Sequence, residues 1–204
     1  MMTQLTRRAA VLSAICSLGG CSAISSLNAA SEPLDTYDLR PVMGPKSGRR
    51  TTRTLLVAKP QASAPLTSDR ILVKPDAVSI TYLPDARWSD ELPTLVQSVL
   101  VQSISGTGRL GYVGRSDAGP IPDKAMLVRI DAFEVATLEG GTFEARVDID
   151  LTIINDKDQR VVGSRQFSQT RAISSDTPQQ IVIVFQEILT DLLPDISDWS
   201  IRLV

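Results

Sequence analysis

The 204-residue chain contains no histidine. That absence removes both the commonest general base and the commonest metal ligand. Cysteine is nearly as scarce: Cys16 and Cys21 are the two present, and both lie close to the N-terminus. The rest of the chain therefore holds no disulfide and no thiolate metal site. Aromatic residues make up 4%, and 21 basic residues nearly balance 23 acidic ones. Such a chain lacks the electrostatic footprint of a nucleic-acid binder. No apolar run reaches the length needed to span a bilayer.

The N-terminus has the layout of an export signal. Arg7 and Arg8 give a basic start, an apolar run follows from Ala9 to Leu18, and small residues Gly19 and Gly20 precede Cys21. Leu18-Gly19-Gly20-Cys21 resembles the lipobox of bacterial lipoproteins. The resemblance implies a signal peptide over residues 1–20, cleavage before Cys21, and a lipid on the Cys21 thiol. Thr6-Arg7-Arg8-Ala9-Ala10-Val11-Leu12 is similar to a twin-arginine export motif, with Ala10 where phenylalanine is usual, so both export routes stay open. Ser22, in place of a retaining aspartate, points to delivery to the outer membrane. Loss of Arg7 and Arg8 leaves the mature chain mildly acidic.

Residues 21–50 read as a flexible tether rich in Ser, Ala, Asn, Pro and Gly, with Tyr37-Asp38-Leu39 as a short extended piece. The basic cluster Lys46, Arg49, Arg50 and Arg53 reads as solvated. From residue 51 the chain predicts a single α/β domain ending at 204. Leu55-Leu56-Val57-Ala58 suggests a buried strand. Ile71-Leu72-Val73 and Val78 to Tyr82 form a strand, turn, strand sequence. A helix follows, capped by Ser89 or Asp90, with Leu92, Leu95, Val96, Val99, Leu100 and Ile104 on one face and Gly106 and Gly108 at its end. Met126 to Ala132, Phe143 to Ile153 and Arg160 to Arg171 then predict three strands of an antiparallel meander. Thr177, Pro178 and Gln180 read as a capping box opening a second helix, stopped at Pro194 and followed by a tail with Trp199. The architecture predicted is a mixed sheet with an antiparallel meander, covered by two main helices.

Candidate chemistry is sparse. Gly106-Thr107-Gly108-Arg109-Leu110-Gly111 spells G-x-G-x-x-G, but it follows a helix and leads into a strand. A dinucleotide site needs the reverse order, so the stretch reads as a helix stop. Asp148 and Asp150 share one strand face with Glu144, where paired carboxylates suit acid–base work or Ca²⁺. Arg146 lies between them and the opposite face is apolar, which predicts a solvated sheet face. No cofactor and no metal is implied.

Ile71-Leu72-Val73, Ile80-Thr81-Tyr82, Asp85-Ala86-Arg87-Trp88-Ser89-Asp90-Glu91-Leu92-Pro93, Leu95-Val96-Gln97 and Leu100-Val101 form an ordered series. It resembles the ABC-type transport auxiliary lipoprotein family, which includes the PqiC-like outer-membrane lipoproteins, and Arg-Trp-Ser before the Leu-rich helix is its best marker. In that family a Tyr-x-Leu often opens the first strand, as Tyr37-Asp38-Leu39 would here. The resemblance implies a non-enzymatic, periplasm-facing lipoprotein that docks the lipid conduit of an intermembrane transport system. Its partners would be an MCE-domain protein and an ABC permease/ATPase complex, with a homo-oligomer admitted. Arg87 and Trp88 are candidate partner contacts, because both residue types are enriched at binding hot spots. The alternative is structural, with Trp88 covering the base of the helix and Arg87 pairing with Asp90. Two other functions stay open: activation of a cell-wall enzyme, and hydrolysis through Asp148 and Asp150.

Overall fold

The longest unbroken alternation in the sequence becomes the middle strand of the meander. The computed structural model describes residues 34–204. In β8 (Phe143–Asn155), Ala145, Val147, Ile149, Leu151 and Ile153 are all wholly buried on one side. β8 pairs antiparallel with β7 (Lys124–Thr137) and, on its other edge, with β9 (Val161–Ile173). This is the expected meander. Gly140 and Gly141 take positive φ, 90° and 78°, in the first of its turns, where a side chain would be strained.

β7 is the strand that the remaining strands join. Its other edge takes three parallel partners in series: β2 (Thr54–Val57), β3 (Gln61–Ala62) and β4 (Arg70–Lys74). β6 (Tyr112–Arg115) runs parallel beside β2. β5 (Thr81–Trp88) lies antiparallel to β4, and β1 (Asp35–Tyr37) parallel to β5. All belong to one nine-stranded mixed sheet. A bulge in β7 between Ile130 and Ala132 shifts the alternation by one. Met126, Val128 and Ile130 face the core before it, and Phe133 and Val135 after it. Glu134 is turned to the other face, where Lys74 Nζ meets its buried carboxylate at 2.9 Å.

Two helices cover the apolar face. In α1 (Leu92–Ser105) Leu92, Leu95, Val96, Val99, Leu100 and Ile104 are buried, as their spacing predicts. Its cap differs from expectation. Glu91 occupies the N-cap without a side-chain bond, while the Asp90 carboxylate accepts the Glu91 N–H at 2.7 Å. α2 (Pro178–Leu203) starts at Pro178 as expected, but the Thr177 side chain makes no capping bond. The larger correction is at its other end. Pro194 does not stop α2, and Trp199 lies within the helix, edge-on to Phe167 at 5.7 Å. The proline deprives the Thr190 carbonyl of its donor, but Thr190 is exposed and water can serve it. Beyond the proline, Ile196, Ser197, Ser200 and Ile201 continue the buried stripe of Ile181, Val184, Phe185, Ile188, Leu189 and Leu193. Continued burial outweighs one lost hydrogen bond. Among the described residues no helix is long and apolar enough to cross a membrane.

Where β5, β7 and α2 meet, three rings close the core. Phe133 and Phe185 stack at 4.7 Å, and Trp88 stands edge-on to both at 5.8 Å. The Trp88 residue is 1% exposed.

Residues 35–50, part of the expected tether, are instead packed on the domain, whose compact unit runs from Asp35 to Val204. Leu39 is buried. Arg40 exchanges hydrogen bonds with the Gln186 side chain at 2.8 and 3.2 Å, and the Val42 N–H donates to Ser103 Oγ at 3.1 Å. A Cβ on Gly44 would lie 2.8 Å from Ser197 Cβ, so only glycine lets the chain cross α2 this closely. Buried Arg109 fastens the far end of this strap: Nε donates to the Arg49 carbonyl at 3.2 Å and Nη1 to Asp198 Oδ1 at 2.8 Å. Compositional reading misses the strap because one buried leucine, one close-approach glycine and a few hydrogen bonds to its backbone carry the contact. The expected signal peptide, and residues 21–33 of the tether, lie outside the described residues.

Trp88→Ala should cost about 3–5 kcal/mol of stability by emptying the ring cluster. Val147→Asp, which buries an unpaired charge, should abolish folding. Thermal and denaturant melts check both. The hydrogen bond from Arg109 and the charge of Arg202 hold the Asp198 carboxyl below its ordinary range. The stability this contributes is present above the unfolded-state value and is lost as pH falls through the lower folded one. Asp198→Asn should therefore destabilise the protein at neutral pH, and its deficit against the parent should shrink below about pH 4 in a denaturation series.

Candidate functional site

The sequence marker Arg87-Trp88 forms the end of β5, so Trp88 is a strand residue and not a loop aromatic. Successive strand residues point to opposite faces. Trp88 turns into the core, while Arg87 faces water. With the residue 1% exposed, a partner would have to open the aromatic cluster to reach the Trp88 ring. The ring is buried, as the structural alternative has it, but the rings it meets are Phe133 of β7 and Phe185 of α2, not the base of α1. Arg87 is 47% exposed at its side chain and does not pair with Asp90. Its Nε donates to Thr36 Oγ1 at 3.2 Å, and its Nη1 lies 3.7 Å from Asp69 Oδ2. Both partners are remote in sequence, which is why a local pairing with Asp90 was the natural expectation.

Backbone hydrogen bonds organise the region around Arg87. The Trp88 N–H donates to the Asp69 carbonyl at 2.7 Å, the Ser89 N–H to the Tyr37 carbonyl at 2.7 Å, and the Leu92 N–H to the Ser68 carbonyl at 3.1 Å. Ser89 Oγ adds a bond to Asp38 Oδ1 at 2.9 Å. The result is a shallow polar cleft between residues 67–69 and 87–91, carrying Asp69, Asp90 and Glu91 beside Arg87. Glu91 is paired with Lys59 at 3.0 Å. Arg87 faces Asp69 within the cleft, Glu91 is held by Lys59 from outside it, and the geometry suits polar contact more than bond-breaking chemistry.

The carboxylate row on β8 is less open than expected. Asp148 is buried, with Gln166 Nε2 donating to its Oδ1 at 2.7 Å and Arg146 Nη2 at 3.6 Å from Oδ2. The expectation of a fully solvated face fails at this position because Gln166 and Arg146 reach across the acid. Asp150 lies 4.0 Å from Arg129, which also makes a two-point pair with Asp131 at 2.8 and 2.9 Å. That pairing holds the Asp131 carboxyl below its ordinary range. An acid–base pair needs one carboxyl pushed towards neutrality. On this face each of the two acids lies beside an arginine, Asp150 beside Arg129 and Asp148 beside Arg146. Among the described residues no group of three or more acidic, cysteine or histidine side chains is arranged to hold a metal ion.

The glycine-rich stretch after α1 serves packing. Gly108 takes φ +64° as the chain leaves the helix, and a Cβ on Gly111 would lie 2.3 Å from the Thr52 carbonyl oxygen. Arg109, inside this stretch, is a functional part of the fold that the motif concealed. Of the basic cluster, Lys46, Arg49, Arg50 and Arg53 are exposed, as read from sequence, although the Arg53 guanidinium also donates to the Val204 carbonyl. Cys21 lies outside the described residues.

A family model described as the ABC-type transport auxiliary lipoprotein component matches residues 37–197. Uncharacterized protein bll6063 of Bradyrhizobium diazoefficiens is 30% identical over 173 residues, covering 83% of this chain and 45% of its own length, so this chain spans about half the curated relative it matches. The crystal structure of protein XCC0632 from Xanthomonas campestris superposes with a TM-score of 0.75 at 24% identity, covering 82% of this chain and 95% of that one. A crystal structure of an uncharacterized protein gives a TM-score of 0.62 at 16% identity, covering 84% and 98%. Both structures share the fold. With the family model matched from the first strand into the last helix, this chain belongs to the ABC-type transport auxiliary lipoprotein family.

Proposed function

We propose that this protein is a lipid-anchored docking component of an ABC-driven intermembrane lipid transport system. It is tethered through Cys21 in the cell envelope, faces the periplasm from the outer membrane, and holds the conduit formed by an MCE-domain protein. It performs no catalytic step of its own. The observation that carries this reading is the family match over residues 37–197, which covers the strap, nearly all of the sheet, α1 and most of α2. The paired state of the carboxylates on β8 supports a binding role over the hydrolytic alternative. The signal-like N-terminus and Leu18-Gly19-Gly20-Cys21 support the anchor. Energy from ATP would enter through the transporter's own subunits, and this chain would contribute contacts and placement.

The decisive experiment is purification of the lipidated chain from membranes, with co-purifying proteins identified by mass. The expected result is recovery of an MCE-domain protein together with ABC permease or ATPase subunits. Recovery of a cell-wall synthase or hydrolase in their place would move the protein to the activator class. Cys21→Ser should leave an unprocessed precursor or a soluble chain, released from membranes by carbonate. Membrane retention of that variant through carbonate extraction would rule out Cys21 as the anchor.

A further inference from the structure

Two hairpins leave the sheet at the same end. β4 finishes at Lys74 beside Ala136 of β7, and β7 finishes at Thr137, so the turn over residues 75–80 and the turn over residues 138–142 are neighbours. Their apolar side chains are turned out to water: Val78 is 93% exposed, Ile80 51% and Leu138 44%. A β-branched pair at the very tip of a turn has no local reason to be apolar, since turns favour Gly, Asn, Asp and Ser.

Neither turn is loose. Asp76 Oδ1 accepts the N–H of Val78 at 2.9 Å and of Ser79 at 2.7 Å. Those bonds hold the Asp76 carboxyl below its ordinary range, so the brace is charged and intact at neutral pH. The Leu138 N–H donates to the Thr142 carbonyl at 2.8 Å, and Gly141 returns a bond to the Leu138 carbonyl at 3.1 Å. An apolar tip fixed in advance loses little conformational freedom on binding.

The charges around the tip choose the occupant. Asp76 and Glu139 are exposed, and neither has an ion-pair partner among the described residues. Lys74, the cation at the base of the hairpin, is held by Glu134. Carboxylates at an apolar tip are repelled by anionic head groups. A two-fold contact with a second copy would set the same carboxylates opposite each other. A protein recess that is apolar at its floor and bordered by Lys or Arg satisfies both features. The geometry points to the Val78–Ile80 hairpin, with Leu138 beside it, as the surface that docks into a basic-rimmed apolar recess of the MCE-domain partner. This rests on the docking role proposed above and locates it on the fold.

The test uses the full lipidated chain co-expressed with the MCE-domain protein of the same bacterium. A photo-crosslinking residue at Val78 should trap that protein, and the same residue at Lys157, in the turn at the opposite end of β8, should not. The Val78→Ser, Ile80→Ser double variant should lower its capture at least tenfold at an unchanged melting temperature. Glu139→Lys should lower capture by a factor that shrinks as salt is raised. A crosslink only into a second copy, into lipid or into an unrelated protein overturns the assignment, as does capture by the double variant at the parent's level. If the parent chain captures the MCE-domain protein and the tip variants capture it equally, only the tip is wrong. If the parent captures none, the docking role falls and the tip assignment with it.

Discussion

The stacked contact of Phe133 on Phe185, with Trp88 edge-on to both, ties together three parts of the chain that are far apart in sequence. Phe133 comes from the long strand on which the sheet is assembled, Phe185 from the helix that covers it, and Trp88 from the penultimate strand at one edge. Aromatic pairs in this geometry add about 0.5–1.5 kcal/mol beyond the area they bury. More important, the cluster fixes where that penultimate strand ends. The next residues then turn into α1, and the polar cleft around Arg87 forms on the outside of that same turn.

A second constraint is the strap over residues 38–50. It crosses both helices, and the strand before it, Asp35–Tyr37, hydrogen-bonds to the end of the strand that carries Trp88. The buried guanidinium of Arg109 holds the strap's far end to α2 through Asp198. A buried arginine is costly unless each donor is used, and here its partners are a backbone carbonyl and a carboxylate. The folded domain thus reaches closer to the N-terminus than composition suggests.

Much of this was legible in the sequence, and the pattern of misses is physical. The alternation from Phe143 to Ile153 and the stripe from Leu92 to Ile104 are local periodicities, and the structure places both as read. Arg87 and Trp88 are adjacent letters, and the sequence does not say which of them faces in. Pro194 misled because propensity is local, while the stripe that continues past it is satisfied by tertiary packing. Arg87 misled for the same reason: Thr36 and Asp69 reach it through sheet pairing and not through sequence proximity. The acidic row on β8 was placed on the correct face, yet Asp148 is covered by Gln166 from the next strand, a contact that depends on register. The lipidation site rests on sequence alone.

The central claim is that Trp88 is a structural element of the core. Trp88 and Trp199 are the two tryptophans of the chain, so Trp199→Phe makes Trp88 the sole indole. Its fluorescence, followed with acrylamide quenching through a denaturant titration, tests the claim directly. The account predicts blue-shifted emission, shielded from quencher, that reddens in the same transition in which the sheet signal is lost. Emission that is already red and freely quenched in the folded protein, or that changes before the sheet melts, would contradict it.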